Sequence, residues 1–337
     1  MNNHKLLQTV NELMAGDKGL LAMDESNPTC NARFKQYGID ATEENRRAYR
    51  ELLISTRGLK EYISGAILYD ETIRQVTLEG SPMARAVTAA GIIPGIKVDT
   101  GAKAMAGQAG EKITEGLDNL RERLEEYSSM GARFAKWRMV ITIGKNRPTL
   151  VCIEENTSAL ARYTMLCQEA GLVPIVEPEV MMDGDHSIED CSRVTGLVLR
   201  EVFHKLNGQG ALLEGLILKP NMILPGLNNS NQNSVDEVAA ATMSCLLRNV
   251  PAAVGGIAFL SGGQSANLAS HRLNAICTIN REKGIWPLTF SFSRALQLEA
   301  LEIWSGKESK TLDAQNKLFE STRRNSLARS GHFSNTY

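Results

Sequence analysis

The chain lacks paired cysteines. Its six, Cys30, Cys152, Cys167, Cys191, Cys245 and Cys277, stand apart with no C-x-x-C spacing, which leaves no disulfide framework and no thiolate metal site. Single thiols suit a reducing compartment, so a cytoplasmic protein is expected. Histidine motifs are missing as well: His4, His186, His204, His271 and His332 form no H-E-x-x-H pair and lie at no ligand spacing from one another or from a cysteine. No metal and no cofactor are expected; His186, in DGDHS, reads as a loop residue. There is no G-x-S-x-G elbow and no thiol-nucleophile signature. No apolar run approaches the roughly 20 residues of a membrane helix, and the start, MNNHKLLQTVNELM, has no long uncharged stretch of the secretory kind. Charge of one sign is not in excess: 37 basic against 38 acidic residues give a net charge of -1. That argues against a nucleic-acid or polyanion binder, though not against a local basic pocket. No linker rich in Pro, Gly or Ser divides the chain, so a single domain over residues 1–337 is expected, with a mobile polar tail from residue 326 onward.

What the chain does have is alternation. With 337 residues, 43% of them hydrophobic, it is long enough for a large core. Leu6, Leu7, Val10, Leu13 and Met14 fall at helical spacing. GLLAMD then reads as a strand, DESNPT as a loop and TEENRRAYRELL as a helix capped by Thr42. After it come ISGAILY and a helix over 71–90, then IPGIKVD, a glycine-rich loop and the helix GLDNLRERLEEYSSM. FAKWRMV, LVPIVEPEV, LEGLILKPN, GIAFLSGG and PLTFSFS continue as strands, each with a helix behind it. Strand–helix alternation implies a parallel sheet with right-handed crossovers. Eight such units favour a closed (β/α)₈ TIM barrel, followed by a C-terminal helix and tail. The open doubly wound alternative is weakened because no dinucleotide-binding glycine fingerprint follows the first strand.

Charge recurs where these strands end. Asp24 closes the first, Lys97 and Asp99 the third; Lys136 and Arg138 lie on the fourth, Glu177 and Glu179 on the fifth, and Lys219 ends the sixth before Pro220. Residues two apart in a strand share a face, so the two cations of the fourth strand point together, as do the two glutamates of the fifth. In a barrel the carboxyl ends of the strands form the catalytic face. A lone lysine there is more often one that snorkels to solvent. Charge at five of the eight strand ends favours an active site, since an apolar interior has no use for ions that cost several kcal/mol each to bury unpaired.

Two anion sites can be read from the loops. Ser261, Gly262 and Gly263 after the seventh strand offer a hydroxyl and unobstructed N–H groups, and Arg294 follows the eighth strand. Barrels often hold phosphate at this position, although SGG alone also makes a tight turn. Ser26 and Thr29 after the first strand, with Arg33 and Lys97, suit a second phosphate; loop hydroxyls also serve simply as turn formers. With thiols and metals set aside, lysine is the remaining covalent catalyst. A neutral amine condenses with a ketone to an iminium, an electron sink for a neighbouring carbanion. Nearby cations and desolvation would free the Lys219 amine of its proton, and a glutamate kept neutral beside like charge would supply one.

The stretches LLAMDES, TEENRRAYR, ISGAIL, IPGIKVD, GARFAKWR, LVPIVEPEV with DGDH, LLEGLILKPNM, FLSGGQS, LTFSFSRALQ and NSLA span almost the whole chain. Together they resemble the class I fructose-bisphosphate aldolases, with SNPTC closer to the plant-plastid and bacterial branch. The resemblance implies metal-independent, cofactor-free cleavage of fructose 1,6-bisphosphate to dihydroxyacetone phosphate and glyceraldehyde 3-phosphate by a homotetramer. It makes Lys219 the Schiff-base lysine, Glu177 the proton shuttle, Asp24 the group orienting the C4 hydroxyl and the iminium, and Lys136 an aid to the carbinolamine steps. Lys97, Arg138 and Glu179 complete the charge network. Ser261, Gly262, Gly263 and Arg294 would bind the 1-phosphate, and Ser26, Thr29 and Lys97 the 6-phosphate with Arg33 nearby. Tyr337 would assist proton exchange on the three-carbon enamine; an unordered terminus is the alternative. Ser293 stands where many members have glycine, and Thr100 and Ala32 stand where lysine is frequent. The competing readings are another Schiff-base barrel lyase acting on a sugar phosphate, and a catalytically silent binding barrel.

Overall fold

The computed structural model describes residues 3–333. Eight strands, each one buried to a large extent, close in parallel: β1 Gly19–Ala22, β2 Ile63–Leu68, β3 Ile93–Lys97, β4 Phe134–Ile141, β5 Val173–Val180, β6 Ile217–Leu218, β7 Gly256–Phe259 and β8 Leu288–Phe292. Closure is made by Leu20 opposite Ser291 and Leu21 opposite Phe292, where β1 meets β8. Helices pack outside the strands: α1 Asn3–Met14, α2 Asn27–Gln36, α3 Glu43–Ile54, α4 Asp70–Arg74, α5 Met83–Ala89, α6 Leu120–Ser129, α7 Leu150–Glu169, α8 Ile188–Gly208, α9 Val235–Asn249, α10 Ala266–Lys283, α11 Arg294–Trp304 and α12 Thr311–Arg329. The main core lies between barrel and helices. A second, smaller core lies inside the barrel and at its lower end, where Leu6, Val10, Leu13 and Met14 of α1 meet Leu20, Phe134, Ile175 and Ile217. Each such side chain contributes about 1.5–3 kcal/mol by leaving water, and α1 thereby plugs the barrel. Leu7, read as part of this stripe, faces outward and is 38% exposed.

Five local expectations are corrected. The DESNPT loop is only partly a loop, since α2 begins at Asn27 with Ser26 as its N-cap and Pro28 in its first turn; Pro is at home there because that N–H has no helical partner. Thr29 and Arg33 therefore sit on a helix. The helix expected over 71–90 is two short ones, interrupted by a turn in which Thr77 N–H donates to Ser81 O at 2.8 Å and Val76 bridges Pro82. The glycine-rich loop after β3 forms a hairpin of Gly101–Ala104 with Lys112–Glu115. It is fastened from outside: Thr149 N–H donates to Glu111 Oε1 at 2.7 Å, and Asn156 bonds Lys112 O at 2.9 Å and Thr114 N–H at 3.1 Å. The sixth strand is only two residues long, because Pro220 has no N–H to continue it. The tail starts later than residue 326, since α12 runs to Arg329. Beyond it Phe333 is held by its N–H on Asn274 Oδ1 at 3.0 Å and by its ring against His271.

Close packing in the barrel depends on Gly95. A Cβ there would lie 2.2 Å from the Phe134 ring, which fills the interior beside it. Gly95→Ala should therefore overpack the core and destabilise the protein by about 1–3 kcal/mol. Urea denaturation checks this; an unchanged midpoint would mean that the Phe134 ring can swing aside.

Candidate active site

Strand register sets the charged cluster. β4 places Lys136 opposite Lys97 on one side and Ile175 on the other, while Arg138 faces Glu177 across β4 and β5. Lys219 follows β6, its N–H donating to Val176 O at 2.8 Å. The side chains converge at the upper mouth. Glu177 bridges two ammonium groups, Lys219 Nζ at 3.1 Å from Oε1 and Lys136 Nζ at 2.9 Å from Oε2. Lys136 also reaches Asp24 Oδ2 at 3.1 Å and lies 3.9 Å from Asp99 Oδ2. Lys136, Glu177 and Lys219 are each 3% exposed. Arg138 pairs with Glu179, and Lys97 with Asp99 at 2.9 Å.

Charges, rather than burial, decide how the carboxylates titrate. Burial alone would raise Asp24, but Lys136, Lys219 and Lys97 together hold it well below the usual carboxylate range. Glu177 is likewise lowered, since Lys136, Lys219 and Arg138 outweigh its desolvation. Lys136 is held charged, as Asp24, Glu177 and Asp99 outweigh the effect of burial. One expectation changes. Glu177 is not kept neutral beside like charge, because its neighbours are predominantly cations.

One cavity of about 760 Å³ collects every candidate within the described residues: Asp24, Ser26, Thr29, Arg33, Lys97, Lys136, Arg138, Glu177, Glu179, Lys219, Ser261, Gly262, Gly263 and Arg294. Tyr337 lies outside the described residues. Gly262 and Gly263 adopt φ of 57° and 87°, a region where only glycine is at ease, and a Cβ on Gly263 would come within 3.0 Å of Arg294 Nη2. Across the mouth, the Ser26 and Thr29 hydroxyls are 3.1 Å apart. His186 is buried outside this cavity; its carbonyl accepts the Gly226 N–H at 2.8 Å, as suits a loop residue.

The sequence reading missed Glu25. Glu25 is 9% exposed, and its carboxylate takes Arg33, the Ser293 hydroxyl at 2.5 Å and Arg50 Nη2 at 3.2 Å. Ser293 also accepts Arg33 Nη1 at 3.2 Å and Gln297 Nε2 at 3.3 Å. A hydroxyl has one donor and two acceptor positions, so this one is fully used. Arg33 is thus already engaged, whereas Arg294 makes no ion pair or hydrogen bond among the described residues. A signal for Glu25 existed in its position beside Asp24 at a strand end, but its partners lie far away in sequence. Asp99 was noticed as a strand-end charge without its role of holding Lys97 and the Arg138 N–H, the latter at 3.2 Å.

Known proteins share this sequence and fold. The family described as Glycolytic, fructose-bisphosphate aldolase class-I, matches residues 5–337. The chain is 52% identical over 335 residues to a probable fructose-bisphosphate aldolase class 1 of Xanthomonas campestris pv. campestris, covering 98% of this chain and 99% of that protein. It is 46% identical over 316 residues to the cytosolic fructose-bisphosphate aldolase 4 of Arabidopsis thaliana, covering 94% and 80%. Among solved structures, fructose-bisphosphate aldolase from Plasmodium falciparum, in complex with TRAP and a small molecule inhibitor, matches with a TM-score of 0.96 and 45% identity over 98% of this chain and 95% of that one. With the barrel fold and near full-length likeness in agreement, the chain belongs to the class I fructose-bisphosphate aldolases, metal-independent Schiff-base lyases that cleave fructose 1,6-bisphosphate to dihydroxyacetone phosphate and glyceraldehyde 3-phosphate.

Proposed function

We propose that Lys219 is the Schiff-base amine and Glu177 its proton partner. The single observation supporting this is the buried Glu177 carboxylate 3.1 Å from Lys219 Nζ. Transfer of one ammonium proton to that carboxylate yields the neutral amine and the carboxylic acid together. The amine attacks the ketose carbonyl carbon, and the proton that the newly bonded nitrogen gives up passes to the carbonyl oxygen, giving a neutral carbinolamine. Its hydroxyl leaves as water with a proton from Glu177, forming the iminium, while the Lys136 charge stabilises oxygen as negative charge develops on it. Glu177, again a carboxylate, accepts the C4 hydroxyl proton as the C3–C4 bond breaks. The bonding pair passes into the iminium, and the resulting enamine holds the three-carbon ketose phosphate until protonation and hydrolysis release it. Asp24, held ionised, accepts hydrogen bonds and orients the C4 hydroxyl and iminium. Lys97, Arg138 and Glu179 fix the field around them.

The 1-phosphate is assigned to Ser261, Gly262, Gly263 and Arg294, and the 6-phosphate to Ser26, Thr29 and Lys97. Arg33 supports this end through Glu25 and Ser293. The family likeness also supports one domain over 1–337, a homotetramer and a cytoplasmic location; a monomer on sedimentation would remove the second. Among the described residues no helix is long and apolar enough to cross a membrane.

Borohydride with dihydroxyacetone phosphate should reduce the imine onto Lys219; a peptide map without that adduct would falsify its role. Glu177→Gln should lower kcat by about 10²- to 10⁴-fold with the fold retained, measured by steady-state cleavage and circular dichroism. Arg294→Ala should raise KM about tenfold or more, the value of a charged hydrogen bond, and leave the melting midpoint nearly unmoved. Arg33→Ala should do the reverse, costing about 1–3 kcal/mol of stability by depriving buried Glu25 of a partner, with a smaller change in KM. Parallel kinetics and thermal melts of the two variants compare them.

A further inference from the structure

Arg272, on α10 beneath the turn after β7, has no part in the chemistry described so far. It is 3% exposed, its Nε has no acceptor, and no carboxylate pairs with it among the described residues. Its one polar partner is Gln264, whose Oε1 accepts Nη1 at 2.8 Å. The position is unfavourable twice over. A buried cation without a counter-ion is costly, and this one reaches back toward the N-terminal end of its own helix, where the dipole is already positive.

The arrangement makes sense with an anion in front of the turn. Arginine only donates hydrogen bonds, so Arg272 dictates which end of the Gln264 amide faces it. The Nε2 end must then point the other way, and it donates to Ser261 O at 2.8 Å; the Gln264 backbone N–H donates to the same oxygen at 3.1 Å. In a trans peptide the C=O and N–H point in opposite directions. Drawing the Ser261 carbonyl back toward Gln264 therefore turns the Gly262 N–H away from Gln264, and Gly262 lines the cavity.

We propose that Arg272 is a positioning residue for the phosphate turn: it orients Gln264, which aims the Gly262 N–H at the ligand, and it adds an uncompensated positive charge behind a dianion. This rests on the assignment of Ser261–Gly263 as a phosphate site. The test compares Arg272→Met and Arg272→Lys with the unaltered enzyme. Capture of dihydroxyacetone phosphate and of unphosphorylated dihydroxyacetone is followed by borohydride trapping at varied ligand concentration, beside thermal melts. Arg272→Met should weaken capture of the phosphorylated ketone about three- to thirtyfold, as expected for a residue acting through a neighbour. Capture of dihydroxyacetone should stay unchanged, and the melting midpoint should hold or rise. Arg272→Lys, which keeps the charge and N–H donors but not the planar fork, should restore most of the loss. Equal loss for both ketones, no loss for either, or collapse of the fold in Arg272→Met would overturn the proposal. Arg294→Ala serves as the control. If it too leaves phosphate capture intact, the phosphate assignment is wrong; if it weakens capture while Arg272→Met does not, only the Arg272 proposal fails.

Discussion

Two buried ammonium groups share one carboxylate, and the upper half of the barrel is built around that sharing. Glu177 meets Lys136 at 2.9 Å and Lys219 at 3.1 Å. Glu177 is the shared partner: without it Lys219 would lose its one ion pair in a dry site, whereas Lys136 would keep Asp24 at 3.1 Å. The cluster's positions follow from register: β4 and β5 are the longest strands, eight residues each, and run in continuous register from Phe134 to Ile141. The period of two along each strand then delivers Lys136, Arg138, Glu177 and Glu179 to the same mouth. The apolar half below supplies the rigidity. Interior packing against Phe134 and the α1 side chains leaves the strands little freedom to slip.

Around the cluster, the ion pairs fall into two kinds. Some cations are engaged by the protein: Arg138 by Glu179, Lys97 by Asp99, Arg33 by Glu25. Arg294 and Arg272 have no such partner; Arg294 lies beside Gly263, and Arg272 holds Gln264, which bonds the Ser261 carbonyl of the same turn. The mouth is therefore close to neutral at the reacting centre and positive at that turn, a division suited to a substrate whose charge lies at its ends and not at its carbonyl.

Much of this was legible in the amino-acid order. Strand–helix alternation carried the barrel, and lysines and glutamates inside apolar strands marked the mouth because such residues are seldom buried without a partner. The misreadings have physical causes. α2 was hidden because Asn27, Pro28 and Asn31 carry turn signals and only Cys30 and Phe34 of that helix are buried. The hairpin after β3 was hidden because Gly101–Ala104 has no β-branched residue; Asn156 and Glu111 hold it from outside. Glu25 and Arg272 escaped for one shared reason. What makes them notable is the presence or absence of a partner far along the chain, and no local pattern encodes that.

The α1 plug carries a consequence for traffic. With Leu6, Val10, Leu13 and Met14 filling the lower end, the barrel is closed there among the described residues, and substrate and products pass through the upper mouth. The aldehyde fragment must depart through it while the ketose fragment is still tethered to the wall. The tether sets the order of departure, and the closed floor makes both fragments share one exit.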